Sequence, residues 1–169
     1  MEVVGMGRMR MLLVAVVGAV SLVGAGAIGV SAHEGRTLIE FESMTPVTGA
    51  AVGAVNDRGI KGGGLPWAIK SGSGRVSSNG EVHVTVRGLV IPVAPLNGTN
   101  PVAKFGATVS CLTKTGVVNV STGLFPANSE GNSTINGAVV LPKHCKDPLV
   151  FVVSPGGAWF AVSNTEDED

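Results

Sequence analysis

The chain has no tyrosine, only two cysteines, and 14% charged residues with a formal net charge of zero. Each scarcity removes a class of function. With aromatics at 4%, and neither a basic patch nor a basic run carrying aromatics, the chain lacks the footprint of a nucleic-acid binder. No segment repeats apolar residues at helical spacing over a useful length, so no amphipathic helix is predicted. The nucleophile and zinc-protease signatures GxSxG, SxxK and HExxH are missing. There is no CxxC pair, and no Cys or His cluster has metal-ligand spacing. The triple glycine Gly62–Gly64 has no Lys-Ser/Thr after it and no helix to cap, so it is not a phosphate loop.

What is present begins with a leader. Met1–Arg10 carries Arg8 and Arg10, Met11–Val23 is an unbroken run of apolar and small residues, and Val30-Ser31-Ala32 supplies small residues where a signal peptidase reads. This three-part pattern predicts a secretory signal peptide over 1–32, cut after Ala32. An uncleaved anchor is the rival, because Met11–Val30 is about long enough to span a bilayer. The mature chain is then expected outside the cytoplasm, secreted or at the cell envelope, with no membrane segment once the leader is gone.

The rest of the chain alternates. Gly74–Ile91 is the clearest hairpin, with Asn79-Gly80 between two alternating runs. A two-residue loop would pair Val76 with His83 and mix the faces. A three-residue loop, Ser78, Asn79 and a left-handed Gly80, pairs Val76 with Val82 and Arg75 with His83. Val82, Val84 and Val86 then face a core, and Glu81, His83, Thr85 and Arg87 face water. Further strands are expected at Thr37–Met44, Leu65–Ile69 (an edge, because of Pro66), Lys104–Leu112, Val117–Thr122, Ser133–Leu141, Leu149–Val153 and Ala158–Ser163. Pro46–Gly64 and Pro92–Pro101 read as surface loops. Ser154-Pro155-Gly156-Gly157 reads as a type II turn with the positive φ at Gly156. About eight short strands at this spacing predict one all-β domain over 33–164, an antiparallel β-sandwich, immunoglobulin-like in general architecture, with a small β-barrel as the alternative. Thr165–Asp169, with four acidic residues, reads as a solvated, disordered tail.

In an exported chain the two cysteines, Cys111 and Cys145, are expected to form one disulfide. Closing a loop of this length contributes about 4 kcal/mol in the chain-entropy treatment.

The stretches GGGLPW (Gly62–Trp67), VRGLVIP (Val86–Pro92), GTNPV (Gly98–Val102) and VFVVSPGGAWFAV (Val150–Val162) together resemble a group of short exported bacterial proteins of unknown function. The resemblance covers most of the mature chain. It implies export and a β-rich fold, and it brings no activity or catalytic residue.

The candidates for chemistry are few. Glu40 and Glu42 share a face of one strand, and such a pair serves solubility more often than glycosidase chemistry, which needs carboxylates across a cleft. Cleavage after Ala32 would make His33 the mature N-terminus, whose α-amino group and imidazole can hold copper together with His83 or His144. At that feature alone the chain is similar to copper-binding β-sandwiches such as the lytic polysaccharide monooxygenases, so copper and an oxidase-like activity are the alternative to a chain with no cofactor. Trp159 is expected to pack on the core from its strand. Trp67 ends a Gly-rich loop, Asp57–Trp67, beside Arg58 and Lys61. These three residues are the candidate binding site, because loops at a sandwich end vary without disturbing the core. The function expected is therefore a non-catalytic binding or structural module, with a cell-wall glycan or another exported protein as partner.

Overall fold

The computed structural model describes residues 35–164. The predicted leader, His33 and the acidic tail lie outside the described residues. Ten strands run from β1 (Thr37–Phe41) through β2 (Met44–Pro46), β3 (Ser71–Ser77), β4 (Glu81–Arg87), β5 (Lys104–Thr113), β6 (Gly116–Ser121), β7 (Phe125–Pro126), β8 (Ser133–Ala138), β9 (Lys146–Val153) and β10 (Trp159–Ser163). They form two antiparallel sheets. The first, sheet A, has the order β1-β3-β4-β8. The second, sheet B, has the order β2-β10-β9-β5-β6, with β7 paired to the start of β5. The sheets stay open, so the fold is the expected sandwich and not a barrel.

The hairpin Gly74–Ile91 forms in the predicted register, with Val76 opposite Val82 and Arg75 opposite His83. Gly80 has φ +91° and donates its N–H to Ser77 O at 2.9 Å. Its missing Cβ matters twice, since an added one would lie 2.0 Å from Val139 O. The same device recurs at Asn56–Gly59, Asn128–Gly131 and Ser154–Gly157, where the fourth residue is a positive-φ glycine bonded back to the first. At Ser154–Gly157 this corrects the expected type II turn. The positive φ sits at Gly157 (+84°), and Ser154 N–H reaches Ala158 O, so the loop is a type I turn closed by a glycine bulge.

Other expectations shift as well. Thr37–Met44 is not one strand: the chain bends after Phe41, and Met44 begins β2 in the opposite sheet. Leu65–Ile69 is not a strand, and only Ala68 bridges to Val90. β9 begins earlier than expected, at Lys146, and absorbs Pro148 beside a bulge where the pairing with β5 slips between Ser110 and Leu112.

The alternating valines decide the core. Val76, Val82, Val84, Val86 and Ile135 of sheet A are buried together with Phe105, Ala107, Val109, Val150 and Val152 of sheet B. Ala107 stands opposite Val152 and Val109 opposite Val150, so these residues share the inner face of sheet B. Its outer face is covered too. Thr108, Ser110, Phe151 and Trp159 are buried there, beneath the segment from Val47 to Gly64. The β5–β9 centre of sheet B is thus enclosed on both sides, which explains the unbroken apolar run of β9. Cys111 and Cys145 are disulfide-bonded, with Cα atoms 4.8 Å apart, tying β5 to the start of β9.

Candidate functional site

Two of the three candidate residues of the Asp57–Trp67 loop are buried. Trp67 is 3% exposed. Its indole stacks on Phe160 with ring centroids 4.0 Å apart and meets Phe105 edge-on at 6.3 Å. Gly63 lies against it, so close that an added Cβ would come within 2.9 Å of Trp67 Nε1. Gly62 bridges to Trp159 and approaches Ala51 O. The triple glycine therefore serves close packing of the loop on its own domain. Trp67 as a binding residue is corrected to Trp67 as core.

Arg58 is corrected in the same way. It is 8% exposed, at the tip of the Asn56–Gly59 turn, and its guanidinium donates to Asp147 O at 3.0 Å and Ser110 O at 3.5 Å. Those carbonyls flank the bulge between β5 and β9. Asn119 Nδ2, on the same outer face, donates back to Arg58 O at 2.8 Å. The side chain is a fastener between loop and sheet, and a guanidinium suits this because its fork reaches two carbonyls. Of the three candidates, only Lys61 is exposed.

His83 and His144, the two described histidines, lie on different elements. His83 lies on the solvent face of sheet A, in a transverse row Glu40–Arg75–His83–Asn136. His144 sits in the loop before Cys145, with φ +62°. No group of three metal-ligating side chains occurs among the described residues. Glu40 and Glu42 both line a shallow depression of about 320 Å³ beside Arg75 and His83.

A roomier cleft than this depression lies elsewhere among the described residues. It has a volume of about 600 Å³ and sits where β3 begins, β4 ends and β8 begins. Its lining combines the apolar Ala68, Ile69 and Val90 with the charged Lys70 and Glu130, and Thr99, Ser129 and Asn132 add hydroxyl and amide groups. The walls are fixed by local chemistry. Asn132 Oδ1 accepts from Gly88 N–H at 3.0 Å, and Asn132 Nδ2 donates to Glu130 Oε2 at 3.2 Å. Leu89 N–H donates to Gly131 O at 3.0 Å, clamping the Asn128–Gly131 turn onto the segment after β4. The Lys70 stem crosses Gly88 so closely that a Cβ there would meet Lys70 Cγ at 2.8 Å. Asn100, 5% exposed, donates to both Val102 O and Asn128 O at 2.8 Å and accepts from Val102 N–H at 2.9 Å. It joins the Pro92–Pro101 loop to the same turn.

None of the sequence-predicted binding residues Arg58, Lys61 and Trp67 lines this cleft. Lys70, Glu130 and Asn132 carry no motif of their own. The legible signal was the turn: Asn128 three residues before Gly131 repeats the pattern of Ser77 and Gly80.

No family model matches the chain, and the comparisons with curated proteins and with solved structures found no match.

Proposed function

We propose that this protein is an exported, non-catalytic binding module that uses the cleft between Lys70 and Glu130. The observation that carries the reading is the cleft itself. Strand ends hold several loop segments around it, and its lining combines apolar side chains with an ammonium and a carboxylate. No nucleophile set, paired acid and base, or metal cluster accompanies it among the described residues. The leader pattern and the disulfide support export to an oxidising compartment, as does the resemblance to short exported bacterial proteins.

Of the two partner classes, polypeptide fits better than glycan. Both tryptophans are buried in the fold, and no aromatic ring lines the cleft to stack on a sugar. A short peptide terminus supplies a charge for Lys70 or Glu130, amides for Asn132 and Thr99, and small side chains for Ala68, Ile69 and Val90. Isothermal titration with tri-alanine and with an N-acetylglucosamine trimer tests this. Tri-alanine should bind, and Lys70→Ala and Glu130→Ala should each weaken it by about tenfold while the melting temperature holds, as for loss of one charge-assisted hydrogen bond. Preference for the sugar, or wild-type affinity for tri-alanine in either variant, would overturn the reading.

A further inference from the structure

Sheet edges expose unpaired backbone groups, and folded proteins protect them with charge, proline, bulges, short length or a covering segment. Among the described residues, three of the four strands that end the two sheet orders are protected. β2 has three residues and ends on Pro46. β1 carries Glu40 and a register shift between Thr37 and Ile39. β8 bridges through Ser133 to Ala127, and Gly137 lies so close to Thr122 that a Cβ would come within 2.9 Å of its side chain. The fourth edge, β6, has none of these devices. Its sequence is Gly-Val-Val-Asn-Val-Ser, without charge or proline, and Val117 is 40% exposed. Among the described residues nothing pairs with its outer side.

The direction of its backbone groups follows from its neighbour. Ala107 O accepts from Thr122 N–H at 2.9 Å, so the odd residues of β5 turn their backbone groups toward β6. Val109, Cys111 and Thr113 therefore bond Val120, Val118 and Gly116. The backbone groups of Val117, Asn119 and Ser121 point outward, away from the sheet.

We propose that β6 is a self-pairing edge, taking the β6 of a second copy of this chain in antiparallel register centred on Asn119. That register is self-complementary. Asn119 faces its own twofold mate, Val117 faces Ser121 of the second copy, and all three outward residues of each chain find partners. The lack of charge is what lets two identical edges meet without repulsion. Because the other edges are protected, the pairing closes as a dimer and does not propagate. The contact is one short strand per copy, so the dimer is weak and concentration-dependent.

Sedimentation of the purified protein over a concentration series tests this. Wild type should shift from monomer to dimer and no further. Val117→Lys/Ser121→Lys places like charges opposite each other at two positions and should weaken the dimer by about tenfold. Val117→Lys/Ser121→Glu places opposite charges there and should restore it. Each variant's melting temperature reports on folding, so a loss through unfolding is recognised. A protein monomeric at every concentration, a ladder of higher oligomers, a dimer indifferent to the double lysine, or equal weakening by both double variants would overturn the proposal.

Discussion

Replacing Trp67 by alanine tests whether the Gly-rich loop is scaffold or contact surface. The indole is 3% exposed and is held by Phe160 and Phe105. Truncating a buried aromatic costs about 3–5 kcal/mol, from lost transfer energy and the cavity left behind. The backbone around it does not collapse easily, because Trp67 N–H is fixed to Val47 O at 2.9 Å and Val47 N–H to Phe160 O at 2.8 Å. For a domain of this size the loss lowers the melting temperature by roughly 10–20 °C. Urea unfolding monitored by far-ultraviolet circular dichroism should show a lower midpoint at unchanged slope. Gly63→Ala should reproduce part of the loss, since its Cβ would press on the same indole from 2.9 Å. If Trp67→Ala melts within about 2 °C of wild type, the ring is not core and the account of the loop fails.

Three further outcomes are expected. Arg58→Met keeps the apolar stem but leaves Ser110 O and Asp147 O without their donor, and should cost about 2 kcal/mol by urea unfolding. Asn100→Ala removes three hydrogen bonds from a buried amide and should cost about 2–4 kcal/mol, while also weakening tri-alanine binding by loosening the Asn128–Gly131 wall. The Cys111→Ala/Cys145→Ala variant opens a crosslink of 34 residues' separation and should lose about 4 kcal/mol. Two alkylatable thiols in the untreated protein would contradict that bond.

The parts of the fold that were legible are those set by local rules. Asn79-Gly80 between alternating valines fixed both the loop length and the register, because a one-residue slip would turn Val82, Val84 and Val86 to water. The alternation of β5 and β8 was equally plain. What escaped depends on distant partners. Nothing in Asp57-Arg58-Gly59 announces that the arginine is buried, since the carbonyls that hold it belong to Ser110 and Asp147. Trp67 reads equally well as exposed or buried until Phe105 and Phe160 are placed beside it. Thr108 and Ser110 have polar side chains on the face of β5 away from the core, and only the overlying segment from Val47 to Gly64 buries them. The cleft was hidden for the same reason. Lys70, Asn132 and Glu130 are ordinary residues until the register of β3, β4 and β8 brings three strand ends to one place.

The most direct test of the account is an amide chemical-shift map of the nitrogen-15-labelled protein titrated with tri-alanine. Shifts should concentrate at Ala68–Lys70, Gly88–Val90, Gly98–Thr99 and Ser129–Asn132, the segments that wall the cleft. Shifts centred on Arg75 and His83 of the solvent face of sheet A, on Lys61 of the Gly-rich loop, or no saturable shifts at all, would contradict the assignment of the cleft as the binding site.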